Sequence, residues 1–156
     1  MSQRTDDALI AMRQISRATG SDSRALAKAS ALSVSQLIAL QEIKRAGTIS
    51  PSKLAETMSL SRGTMTTLLN KLYARELVNR EGDATDKRRW FFSLTEFGVK
   101  ILEQAPPMLH DQFSDKFGQL QAWEQSQIVS ALERIVALLD AEDIDAAPIL
   151  DTQEIV

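Results

Sequence analysis

The chain has 156 residues, 44% hydrophobic and 25% charged, a balance that suits one sizeable core, so residues 1–156 read as a single unit. With no cysteine and one histidine, His110, the chain lacks the groups for a disulfide framework, a thiol switch, a His/Cys zinc cluster or a Cys–His nucleophile; neither metal nor cofactor is expected. The net charge of −3 is unevenly spread: residues 1–60 carry 8 Lys+Arg against 5 Asp+Glu, residues 61–95 carry 7 against 4, and residues 96–156 carry 3 against 12.

A basic working surface joined to an acidic lobe has that distribution, and a polyanion feels local charge within a Debye length. Acidic tails that only keep a protein soluble give the same count. No run approaches the roughly 18 apolar residues of a membrane span. The start, MSQRTDDALIAM, lacks a cationic region followed by an apolar one. A cytoplasmic protein with no membrane partner is therefore expected.

In chain order, Leu9, Met12, Ile15 and Leu26 recur at near-helical spacing and predict one long helix from Asp6 to about Ser30. Gly20 is its soft point, at about 1 kcal/mol relative to alanine. Ser33 is an N-cap with Gln36 as its capping-box partner; Leu37, Leu40 and Ile43 or Lys44 follow, and Gly47 stops this second helix. Ser50-Pro51 opens a third helix to about Met58, with proline where its missing N–H costs nothing. Ser61 caps a fourth, in which Met65, Leu68, Leu69 and Leu72 form an apolar stripe.

The period then changes. LVNRE and WFFSL predict two strands of a hairpin whose tip, GDATDKRR, is rich in turn formers and charge. Thr95 caps a fifth helix that Pro106-Pro107 must kink or break. A sixth helix spans about Ala122 to Ala141, with Ile128, Leu132, Ile135, Val136 and Leu139 on one face. That stripe is wider than a small domain needs for its own core, which predicts a homodimer. Residues 142–156 form an acidic tail.

The third and fourth helices, separated by Ser59-Leu60, make a helix-turn-helix. Stepping about 100° per residue from Met65, Gly63, Thr66, Thr67 and Asn70 fall opposite the buried stripe, with Thr64 and Lys71 along an edge. Ser61 and Arg62 stand at the helix start, where free N–H groups and the dipole favour anions. Short polar side chains of this kind read base edges or thymine methyls in a major groove, and Arg62 and Lys71 can hold phosphates. Any solvated helix face is polar, so the basic hairpin decides the reading. Arg80, Lys87, Arg88 and Arg89 suit phosphates or a narrow minor groove, and Asp86 is expected to be a brace that pairs with an arginine and stiffens the tip, not a DNA contact. The fold class is mainly α, a winged helix-turn-helix with a two-stranded wing over residues 33–95.

LSVSQ (32–36), LAETMSLSRGTMTTLLNKL (54–72), and D-K-R (86–88) followed by SLTEFG (93–98) together resemble the MarR family of bacterial transcription regulators. They match that family's LTxxQ entry to its second helix, its helix-turn-helix, and its D-x-R…LTxxG wing. The resemblance implies a homodimer packed through the terminal helices, here a lobe of residues 5–30 and 96–141. It also implies two winged helices on a pseudo-palindromic operator in double-stranded DNA, and repression relieved by a small-molecule effector. In that family the effector pocket lies between the lobes; Arg17, Arg24 and Trp90 are candidates by residue type. Pro106-Pro107 and the long tail depart from the family pattern. RQISRATGSDSRAL (13–26) and DIDAAPIL (143–150) resemble a branch adjoining ectoine-synthesis operons.

Two other classes compete. A winged helix can be a protein-docking adaptor without DNA, which the cationic wing tip disfavours. An enzyme needs convergent acid, base or nucleophile groups, and apart from His110 the sequence offers only carboxylates and hydroxyls without a recognisable spacing.

Overall fold

A computed structural model describes residues 2–152; Met1 and the last four residues of the acidic tail lie outside the described residues. Ser2 starts the first helix, α1 (Gln3–Ser30), by accepting from the Thr5 N–H. The helix runs through Gly20 without interruption, because Gly20 is buried and held by packing where propensity alone is weak. Its end is set by Ala31, which takes a left-handed conformation at φ 54° and donates its N–H to the Ala27 carbonyl.

Ser33 and Gln36 form the expected reciprocal capping box at the start of α2 (Val34–Ala46). Val34, Leu37, Ile38, Ala39, Leu40 and Ile43 are all buried, which makes α2 the central helix of the core; of the alternatives at its last turn, Ile43 is the core residue. Ser50 and Pro51 open α3 (Pro51–Thr57), and Ser61 caps α4 (Arg62–Ala74). Strands β1 (Val78–Gly82) and β2 (Trp90–Leu94) pair antiparallel, with Arg80 opposite Phe92 and Gly82 opposite Trp90. Ile49 adds a bridge to the far side of β2 through two backbone bonds with Phe92, at 3.0 and 2.9 Å. The hairpin is thereby fixed to the segment just before α3.

Thr95 caps α5 (Glu96–Gln104), its hydroxyl accepting from the Gly98 N–H at 2.9 Å. Gly98 lies so close to β1 that a Cβ there would stand 2.1 Å from the Leu77 carbonyl oxygen. At Pro106-Pro107 the chain breaks outright: Ala105 and Met108 are both extended, and a separate helix, α6 (Leu109–Gly118), follows before α7 (Ala122–Leu138). The seventh helix in the count is α6, because only six are read from the sequence. Gln41 of α2 donates to Asp111 of α6 at 3.0 Å and so positions the segment beyond the break.

Neither α6 nor α7 contributes a buried residue. On α7, Leu132 is 44% exposed, Val136 40% and Leu139 57%. Beyond α7 the chain turns back, and Ile149 packs against the core.

Candidate nucleic-acid interface

The helix-turn-helix is closed by the backbone. Ser59 adopts φ 53°, and the Leu60 N–H donates to the Ala55 carbonyl at 2.9 Å, so the small Ala55 sits where the chain doubles back. Leu54, Ala55 and Met58 of α3 and Met65, Leu68, Leu69 and Leu72 of α4 are buried. The remainder of the first three turns of α4 faces outward: Ser61, Arg62, Gly63, Thr66, Thr67, Asn70 and Lys71 are exposed and Thr64 is half-buried. The apolar stripe therefore orients the whole polar set in one direction.

Its hydrogen bonds define what that face offers. The Ser61 hydroxyl accepts from the Thr64 N–H at 3.1 Å and lies 2.8 Å from the Thr64 hydroxyl. Thr66 and Thr67 donate their hydroxyl protons back to the carbonyls of Arg62 and Gly63, at 2.8 and 3.1 Å. The two threonines are thus locked in rotamer, their donors committed to the helix, leaving oxygen lone pairs and methyl groups for a partner.

The wing tip is organised by a residue that the motif reading did not single out. Asp83 Oδ1 accepts from the Thr85 N–H at 2.8 Å, the Thr85 hydroxyl at 2.7 Å and the Asp86 N–H at 3.3 Å. These bonds, led by the Thr85 hydroxyl, hold the Asp83 carboxyl below its ordinary value; the charge of Arg89 adds to the effect. The signal was present as Asp83-Ala-Thr85, an aspartate two residues before a hydroxyl in a turn. Asp86 accepts at 3.0 Å from the backbone N–H of Arg88, so it shapes the loop while leaving that contact independent of the guanidinium. Lys87, Arg88 and Arg89 are exposed at the tip.

Arg80 is placed differently from these three. Its guanidinium lies over the Trp90 ring at 4.4 Å and the Tyr73 ring at 5.2 Å. The stack joins the base of the wing to the last turn of α4. Trp90 therefore belongs to the wing surface. Of the other residues expected by type to line a pocket, Arg17 borders a groove along the outer face of α1 with Leu9, Ile10 and Arg13, and Arg24 lies beside Gly20, farther along the same helix. Trp90 and this pair occupy different surfaces.

The start of α3 closes the gap between α4 and the wing. One surface groove runs from Ser50, Ser52 and Lys53 to Arg62; a second runs from Ser50, Pro51 and Ser52 to Arg88, Arg89 and Trp90. Ser50 and Ser52 border both. In the sequence Ser50 and Pro51 are legible only as helix-start signals, because the groove exists only through tertiary placement. Arg62, the start of α3 and the cationic wing tip thus border one continuous surface, in which Glu56 is the one carboxylate among the described residues.

Residues 32–90 match the model of the MarR family. The chain is 38% identical over 84 residues to the transcriptional regulator HosA of Escherichia coli O157:H7, covering 53% of this chain and 62% of that protein. It is 27% identical over 101 residues to the HTH-type transcriptional repressor NicR of Pseudomonas putida, covering 65% and 64%. The chain spans less than two thirds of the length of these relatives. Among solved structures, a MepR-like protein complexed with pseudoligands superposes with a TM-score of 0.62 at 20% identity, over 88% of this chain and 97% of that one. A Staphylococcus aureus MepR–DNA complex gives 0.60 at 21% identity, over 83% and 96%. These likenesses establish the winged helix fold.

Proposed function

We propose that the chain is a MarR-family transcription regulator that binds double-stranded DNA sequence-specifically as a homodimer and represses the genes beside its operator. The observation that carries this reading is the continuous surface from Arg62 through the start of α3 to Arg88 and Arg89. In this reading the first turns of α4 enter a major groove, with Thr64, Thr66, Thr67 and Asn70 at base edges and Arg62 and Lys71 near phosphates. The wing cations follow the backbone or an adjacent minor groove, and counterion release makes the affinity steeply salt-dependent.

The dimer is proposed from the exposed apolar side of α7 together with the unburied α6, which a second copy would cover. A two-fold dimer presents two winged helices, so the operator is pseudo-palindromic. Repression is supported by the name of the NicR relative. A small-molecule effector would act by preferring the form whose wings are wrongly spaced, shifting the population away from DNA. The narrower likeness to a branch adjoining ectoine-synthesis operons rests on residues 13–26 and 143–150, outside the matched segment.

The test is duplex selection from random sequence followed by anisotropy titration at several salt concentrations. A pseudo-palindromic site bound at least a thousandfold tighter than unrelated duplex supports the reading. Equal affinity for all duplexes, or none, overturns it and leaves the docking adaptor.

A further inference from the structure

The carboxyl-terminal segment is seated on α1 through a side chain that is itself buried. Ser23, 4% exposed, donates its hydroxyl proton to Asp151 Oδ1 at 2.7 Å, across 128 positions of sequence. The adjoining contacts are of different kinds. The Leu150 N–H points to Nδ1 of His110, at the start of α6, at 3.4 Å. Ile149 packs against the core. Thr152 lies 3.9 Å from the point where a Cβ on Gly20 would stand.

On α1, Thr19, Gly20, Ser23 and Leu26 are the buried residues, and their spacing puts them on one face. That face is therefore an acceptor for chain, with a hydroxyl for a carboxylate at Ser23 and no side chain at Gly20. A tail that only solubilised the protein would gain nothing from a buried serine aimed at it.

We propose that residues 147–152 are an intramolecular ligand: a strap that fills a seat between α1 and α6 and must leave before another molecule can use it. The seat takes an extended segment in which a branched aliphatic group lies two positions from a carboxylate, as Ile149 and Asp151 do. This deepens the regulator reading and rests on it, because an effector entering this seam competes with the chain's own tail. A strap closed nine-tenths of the time weakens such a competitor about tenfold. Release also frees the seam of α1 and α6 from a contact that joins them.

Hydrogen exchange on the full chain tests the strap directly. In the native protein the Leu150 amide should exchange at least tenfold more slowly than in Ser23→Ala or Asp151→Ala, the second of which leaves the buried face of α1 intact. The second measurement uses a labelled peptide of residues 145–152, DAAPILDT, as the probe. It should bind the Asp151→Ala chain about tenfold more tightly than the native chain, whose seat is filled, and bind the Ser23→Ala chain least. Exchange of Leu150 at the rate of an unstructured peptide overturns the proposal, as does equal peptide affinity for all three chains. Neither measurement contains DNA, so a failure here leaves the DNA-binding reading standing, and a failure to bind any duplex leaves the strap standing.

Discussion

Arg75 holds the end of α1: its guanidinium donates to the Ala31 carbonyl at 2.5 Å and to the Ser30 carbonyl at 3.4 Å. Arg75 is the C-cap of α4, so one side chain joins the end of the recognition helix to the end of the long amino-terminal helix. The last carbonyls of a helix lack intrahelical partners, and a cation there also meets the negative end of the dipole. Arg75→Ala should lower stability by about 1–3 kcal/mol, read as an earlier urea midpoint at fixed protein concentration. Arg75→Lys should recover only part of it, because a single ammonium cannot reproduce the two-pronged contact.

Gly98→Ala should be among the most damaging single-methyl changes in the chain. The added Cβ would meet a backbone carbonyl, that of Leu77, which also accepts from the Thr95 N–H at 3.1 Å and so cannot move alone. Overpacking of this kind costs about 3 kcal/mol. Thermal unfolding measures it, and an unchanged melting temperature would mean that α5 can lift off β1 freely.

Arg88 and Arg80 should separate in a salt series. Loss of one phosphate contact in Arg88→Ala lowers the slope of log affinity against log salt by about one. Arg80→Ala removes a stack on Trp90 and Tyr73 instead, worth about 1 kcal/mol. It should loosen the wing base with the salt slope unchanged. Identical slopes for Arg88→Ala and the native chain would remove the wing tip from the interface.

The wing tip should loosen in acid through Asp83. Its folded carboxyl titrates below the ordinary value, so its contribution is present above the unfolded value and disappears as pH falls through the lowered folded one. Amide resonances of Thr85 and Asp86 should move together over that acid window and stay still near neutrality. In Asp83→Asn the acid step should be absent.

Leu132→Asp with Val136→Asp should convert the proposed dimer to monomer, because the pair would bury two unpaired carboxylates between copies of α7. Light scattering at micromolar concentration decides it. A native chain that is already monomeric would remove the assembly from the mechanism.

The sequence was most legible where a local rule and a packing demand agree. Ser33 with Gln36, Ser50 with Pro51, and Ser61 each mark a helix start by chemistry confined to four residues, and the stripe Met65, Leu68, Leu69, Leu72 orients α4 without knowledge of its neighbours. The alternation of Trp90, Phe92 and Leu94 against Phe91 and Ser93 holds at Phe92 and Leu94, which reach the core, and fails at Trp90, which is 41% exposed and stacks under Arg80. The two prolines mark an interruption, but α6 is not predicted as an element of its own, although Leu109, Phe113 and Phe117 recur at helical spacing along it.

Contacts that need tertiary register were invisible. Arg80 reads as one more wing cation until pairing places it diagonally from Trp90 and across from Tyr73. Gly20 reads as a weak point until the tail is laid beside it. For Arg75, nothing near it in the sequence indicates the carbonyls it holds.

The extended stretch from Ala105 to Met108 denies the protein a stiff rod running out of the winged helix. The helical ladder of α5 stops there, and no continuous helix links the winged helix to α7. What holds the two sides together is packing and polar contact: Met108 lies in the core, and Gln41 of α2 bonds Asp111 of α6.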